Sequence, residues 1–152
     1  IMITGDDMRI NTRFTVAVHV MALVALARRQ GALVTSELLA RSVGTNPAVI
    51  RQMMSSLKKA ELIQTQSGLP GCSMKKAESE ISLLDIYKAV QKDPDAPLFD
   101  FHPHPNPKCF VGRNIQGAME HPLREAQDAM ERSLGEYTLQ DVTSYISKNT
   151  EN

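Results

Sequence analysis

Two kinds of chemistry are written into this sequence by residue type and spacing. In "FDFHPHPNPKCFVG", Phe99 to Gly112, His102, His104 and Cys109 sit close together in a proline-broken segment. Imidazole and thiolate are metal ligands, and a cation such as Lys108 beside a cysteine favours the reactive thiolate. In "TNPAVIRQMMSSLKKAEL", Thr45 to Leu62, the residues Arg51, Gln52 and Ser55 share one face of a helical pattern. Those are the side chains that hydrogen-bond base edges in a major groove: arginine to guanine, glutamine to adenine, serine to either.

The first chemistry weakens on inspection. His102 and His104 stand at i and i+2 of an extended segment, so their side chains point to opposite faces. The chain has only two cysteines, Cys72 and Cys109, which neither build a disulfide framework nor close a four-thiolate site. No metal is expected. Three readings of the loop stay open: a thiol switch at Cys109, a small-molecule pocket between the loop and the helix that follows it, or a plain linker with Cys109 as a small hydrophobe beside Phe110 and Val111. A thiol enzyme using Cys109 with His102 or His104 is disfavoured, because there is no CxxC, no glycine-rich phosphate loop and no paired carboxylates. The chain is expected not to be an enzyme.

The second chemistry needs elements to hold it, and they are legible. Thr12 to Arg29 is helical and apolar nearly all round, a buried central helix in which His19 is expected as a satisfied core histidine. "VTSELLARSVG" reads as a second helix, capped by Thr35 or Ser36 and closed by Gly44. The next helix has Asn46 or Thr45 as its cap and Pro47 in its first turn. Ile50, Met53, Met54 and Leu57 make its apolar stripe, and Ala48, Arg51, Gln52, Ser55 and Lys58 or Lys59 line the other face. "LIQTQSGLPGCSM" is a hairpin pattern around a Gly-Leu-Pro-Gly turn, followed by Lys75 and Lys76. Ser82 caps "LLDIYKAVQ". Five prolines between Asp93 and Cys109 exclude a regular helix there. From about Gly112 to Gly135 a long helix returns, with Ile115, Met119, Leu123, Ala126, Met130 and Leu134 as its stripe and Pro122 expected to kink or interrupt it. "TLQDVTSYISK" is a last helix with Thr138 as its cap.

Two helices joined at Gly44 and followed by a basic hairpin make a winged helix-turn-helix, a mainly α fold with a small β-hairpin wing. The charge agrees. The 152 residues have no net charge, yet Arg9 to Lys76 holds ten basic residues against two acidic ones, and Ala77 to Asn152 holds seven against thirteen. A basic half of this kind suits a polyanion. Thr35, Thr45 and Asn46 at helix starts could hold phosphate.

The longest apolar run, Phe14 to Ala27, is too short for a membrane span, and "IMITGDDM" does not read as a signal peptide. The expectation is a cytoplasmic protein without membrane contact. Met8 is a candidate start, so Ile1 to Asp7 are set aside.

"MRINTRFTVAVHVMALVAL", "VTSELLARSVGTNPAVIRQMMSSLKKAELIQTQSGLPG" and "ISLLDIYKAV" together resemble the Rrf-two family of bacterial transcriptional regulators, from Met8 to about Ile146. The resemblance implies a homodimer formed through the long C-terminal helix, bound to a pseudo-palindromic operator on double-stranded DNA, with repression the expected mode. It implies DNA contacts within Asn46 to Ser55, and phosphate contacts from Arg9, Asn11 and Arg13. It also marks a departure. Ser67 stands where many members have an arginine, and Cys72 where they have a glycine, so a minor-groove arginine contact from the wing is in question. In cluster-bearing members the proline loop holds three cysteines on an iron–sulfur cluster. Here only Cys109 remains, so a clusterless member without cofactor is expected, open to a thiol or small-molecule effector.

The expected organisation is a DNA-binding domain over 8–92, a sensor-like loop over 93–111 and a dimerisation helix with a C-terminal helix over 112–148. The expected interface is Arg9, Asn11, Arg13, Thr35, Thr45, Asn46, Ala48, Arg51, Gln52, Ser55, Lys58, Lys59 and Lys75. The candidate sensor residues are Cys109, His102 and His104. The competing reading is a winged-helix module whose basic face binds an acidic protein without reading DNA.

Overall fold

A computed structural model describes residues 10–93 and 95–150. Helix α1, Ile10–Arg29, lies at its centre. Val16, Ala17, Val20, Met21, Val24 and Ala25 are buried, and Val34, Leu39, Ile50, Leu57, Ile63, Ile81, Ile86 and Leu139 close around them. Side chains of this size each stabilise the fold by roughly 1.5–3 kcal/mol when fully buried. His19 corrects the expectation of a core histidine. It is exposed, with Nε2 2.8 Å from Ser42 Oγ. On that rim the ring reaches a polar partner and water, which a core position would deny it.

Helix α2, Ser36–Val43, starts where Thr35 Oγ1 accepts the Leu38 N–H at 3.2 Å. It ends at Gly44, whose φ of +84° is the left-handed conformation that favours glycine. Helix α3, Pro47–Lys59, follows after two residues. Asn46 Oδ1 accepts the Val49 N–H at 3.0 Å, and Pro47 at the first helical position gives up no hydrogen bond. Val49, Ile50, Met53 and Leu57 are buried and Met54 is half-buried.

The wing is a two-stranded antiparallel sheet, β1 (Ile63–Gln64) and β2 (Ser73–Met74), with Ile63 opposite Met74 and Gln64 opposite Ser73. It is pinned to the start of the helix pair. Cys72 N–H donates to Val34 O at 2.9 Å, and Val34 N–H donates to Cys72 O at 3.2 Å. Gly71 makes that approach feasible. Its φ is +96°, and a Cβ there would lie 2.8 Å from Val34 O.

Helix α4, Leu83–Ala89, has a capping box between Ser82 and Asp85, and Tyr87 meets Phe14 of α1 edge to face. Helix α5, Phe110–Gly135, runs on through Pro122 as one helix, so the proline does not interrupt it. The proline leaves the carbonyl of Ala118 without its usual donor, but both residues are exposed, so water can supply it. None of the α5 residues is buried. Of the expected stripe, Ile115, Leu123, Met130 and Leu134 are half-buried, and Met119 and Ala126 are exposed. Helix α6, Leu139–Lys148, folds back on α1 and buries Leu139 and Thr143. Arg29 ties this end together, donating to Glu78 Oε2 at 2.8 Å, Ser147 Oγ at 3.1 Å and Thr143 Oγ1 at 3.2 Å. Among the described residues, no helix is long and apolar enough to cross a membrane.

Candidate nucleic-acid interface

Helix α3 separates a buried face from an outward one. Ala48, Arg51, Gln52, Ser55, Lys58 and Lys59 are all exposed, while the opposite stripe anchors the helix in the core. The outward residues fall at i, i+3, i+4, i+7, i+10 and i+11, one ridge along the helix.

Open clefts lie on either side of this ridge. One, of about 620 Å³, runs between α3, the start of α2 and the wing, and its lining includes Thr35, Glu37, Arg51, Lys58, Thr65 and Leu69. The other, of about 610 Å³, lies toward the start of α1 and the end of α4. In the wing-side cleft Lys58 Nζ donates to Thr65 Oγ1 at 2.8 Å, which leans that cation toward the wing. Arg51 Nη1 lies 4.0 Å from Glu37 Oε1, and both side chains are mostly exposed. Such a pair contributes at most about 1 kcal/mol. It steers the guanidinium without locking it. Lys75 Nζ is paired with Glu61 Oε1 at 3.1 Å and is not in the lining of either cleft.

The expected site residues divide as follows. Arg13 and Asn46 line the second cleft, with Ala48, Gln52 and Ser55. Thr35 lines the first, its hydroxyl oxygen already engaged in capping α2. Thr45, in the turn between α2 and α3, is buried, 6% exposed, and is not among the lining residues of either cleft. Arg9 lies outside the described residues, as does the side chain of Asn11. Sequence reasoning overlooked Glu37 and Leu69. Glu37 is legible only as a first-turn acid of α2, and its neighbour Arg51 comes from another helix. Leu69, 52% exposed, occupies the wing turn where an apolar residue has no packing reason to be.

The loop after α4 does not bring its candidate sensors together. His102, His104 and Cys109 are all exposed. His104 has a φ of +65°, and Cys109 stands at the start of α5 with its N–H donated to Asn106 O at 3.1 Å. Pro97, Phe99 and Phe101 lean on α5 around Leu123 and leave a hollow of about 330 Å³. Leu98 N–H is held by Gln127 Oε1 at 2.9 Å. Cys72 is shut in the core, and burial pushes its thiol up to about 11. A thiol held protonated is neither a good nucleophile nor a metal ligand.

These elements define a winged helix-turn-helix protein of the transcription-regulator class. Residues 10–145 match the Rrf2 family, described as an iron-dependent transcriptional regulator, and the chain belongs to this family. It is 43% identical over 137 residues to YwnA of Bacillus subtilis (strain 168), assigned as an HTH-type transcriptional regulator; the match covers 90% of this chain and 98% of that protein. A crystal structure assigned as a DNA binding protein is 41% identical, covers 86% of this chain and 97% of its own, and superposes with a TM-score of 0.68. IscR of T. potens (17% identity, 94% and 91% coverage, TM-score 0.66) shares the fold. So does CymR, the global cysteine regulator of B. subtilis (19% identity, 91% and 98% coverage, TM-score 0.65).

The family description raises iron, and the donors here do not fit it. Among the described residues no three His, Cys, Asp or Glu side chains converge on a common point. Cys109 is the loop's only thiol, and Cys72 is buried in the core.

Proposed function

We propose that this chain acts as a homodimeric, sequence-specific regulator of transcription that represses by occupying a pseudo-palindromic operator. In this reading α3 enters the major groove, Arg51, Gln52 and Ser55 meet base edges, and Arg13, Lys58 and Lys59 meet phosphates. One observation carries it: α3 buries one stripe and holds a row of base-reading side chains free on the other. A helix is about 10–12 Å across with its side chains, and the major groove is about 12 Å wide. The clefts on both sides of α3 then leave room for the two sugar-phosphate strands.

Helix α5 supports the dimer: it has 26 residues and none of them is buried. Val111, Ile115, Ala118, Pro122 and Ala129 lie on one side of it, interrupted by Glu125, with Val111 63% exposed. Their spacing is that of a helix–helix seam, and the small residues let two backbones approach. A second copy of α5 is the occupant of this stripe. The hollow under Pro97, Phe99 and Phe101 lies on the other side of the helix and stays open to a small effector; Cys109 stays open to a thiol effector.

The test is fluorescence anisotropy with DNA upstream of the protein's own gene, using reduced and diamide-treated protein, beside sedimentation of the free protein. Selective, salt-dependent binding by a dimer supports the reading. A monomer that retains no DNA sinks it. Loss of binding on oxidation, absent in Cys109→Ser, would make Cys109 the switch.

A further inference from the structure

The cleft on the α1 side of the recognition helix carries positive charge with no carboxylate in its lining among the described residues. Its lining includes Arg13 from α1, Asn46, Ala48, Gln52 and Ser56 from α3 and its cap, and Lys92 from just beyond α4. Among the described residues the lining contains two cations and no carboxylate. Arg13 Nε is sealed from solvent and has no hydrogen-bond acceptor among them. Lys92 is exposed and forms no ion pair among the described residues. Its neighbour Asp93 is not in the lining, and Asp93 Oδ1 accepts the Asp95 N–H at 3.0 Å. At the start of α3, Pro47 has no N–H and Asn46 takes the Val49 N–H, so the Ala48 N–H is a helix-start donor without an intrahelical acceptor. Two cations, an unoccupied backbone donor and side-chain amides around one polar hollow are the recognition chemistry of a phosphate group.

The position of the cleft says which phosphate. It borders the outward ridge of α3 on the side away from the wing. With the ridge in a major groove, one strand's backbone passes the wing and the other passes this cleft. We propose that the cleft seats a backbone phosphate of bound double-stranded DNA, and that Lys92 is a DNA-contacting residue. The inference rests on the DNA-binding reading above and adds to it a contact from outside the helix-turn-helix and wing. Lys92 is also the residue at which the chain leaves α4 for the proline loop. The loop that holds Cys109 is therefore tethered at a phosphate contact.

The experiment uses the full chain with Lys92→Gln, Lys92→Arg, Lys148→Gln and Arg51→Ala. Anisotropy measures binding to a selected duplex and to a scrambled duplex over a salt series. Lys148 on α6 is an exposed cation remote from the cleft and controls for net charge. The expected result for Lys92→Gln is weaker binding to both duplexes by a similar factor of about 3–10, with the slope of log affinity against log salt smaller by about 1. Lys92→Arg restores the slope, and Lys148→Gln leaves it unchanged. If Lys92→Gln keeps the wild-type slope while Arg51→Ala still loses discrimination, the phosphate seat is wrong and the DNA-binding reading stands. Equal losses from Lys92→Gln and Lys148→Gln overturn the seat as well, since that is a net-charge effect. If the wild-type protein holds neither duplex, the reading and this inference fall together.

Discussion

Arg51→Ala is the perturbation that separates reading from mere binding. Arg51 stands on the exposed ridge of α3 with its guanidinium 4.0 Å from Glu37 and no other ion-pair partner among the described residues. Both partners are mostly exposed, so the pair contributes at most about 1 kcal/mol to the fold. The position itself favours alanine over arginine only slightly in helix propensity. Thermal unfolding of the free protein should therefore hardly move. DNA binding should move much more. A guanidinium that meets a guanine edge through two hydrogen bonds discriminates by roughly 1–3 kcal/mol, about 5- to 150-fold in affinity. The assay is anisotropy on the operator and on a scrambled duplex at fixed salt. The loss should fall mainly on the operator, and removal of one cation should weaken the scrambled duplex only modestly. Glu37→Gln, which frees the same guanidinium, should shift affinity far less. Unchanged operator affinity in Arg51→Ala would refute the recognition role, and an equal loss on both duplexes would reduce Arg51 to a phosphate contact.

Other outcomes are as definite. Lys58→Gln with Lys59→Gln should lower the salt slope by up to about 2 and leave discrimination nearly intact, read in the same titrations. Gly71→Ala should destabilise by roughly 1–3 kcal/mol in urea unfolding, because it sets a Cβ against Val34 O at a positive φ. Alkaline stability should report on Cys72. Its folded value, raised from 9.0 to about 11 by burial, leaves the unfolded chain to lose its proton first. The thiol's contribution is thus intact below about pH 9 and lost as pH rises toward 11, by up to roughly 2–3 kcal/mol. Cys72→Ala should flatten that part of the pH profile. A wild-type and a mutant profile that run parallel from about pH 8.5 to 11 would count against it.

The helix-turn-helix was legible because local chemistry fixes it. Thr35, Gly44, Asn46 and Pro47 are cap and turn residues that work within three or four positions of themselves, and the structure uses each in that way except for the alternative cap Thr45. The alternation of buried and exposed positions on α3 is equally local. What stayed hidden depends on distant segments. The Arg51–Glu37 approach joins two helices, the Cys72–Val34 bridge joins the wing to the chain before α2, and the α1-side cleft needs Arg13 and Lys92 from opposite ends of the domain. Pro122 leaves α5 continuous for a related reason: on an exposed helix, water can take up the freed carbonyl.

That exposure leads to the strongest constraint on how the molecule works. Helix α5 carries apolar residues on several sides yet buries none of them fully, while α6, only ten residues long, buries two. Among the described helices α5 is thus the longest and leaves its apolar residues least covered. If a second copy completes it, the symmetry is two-fold and each half presents the same α3 ridge. The two ridges must then meet successive major grooves on one face of the duplex, about 34–36 Å or a multiple of it apart. Ala118→Glu, which sets a charge in the middle of the seam, should convert a dimer into monomers in sedimentation with little effect on the subunit's own melting, because Ala118 is exposed. It should also cut operator affinity far more than half-site affinity. If the variant stays dimeric, the seam lies elsewhere on α5 or on another face.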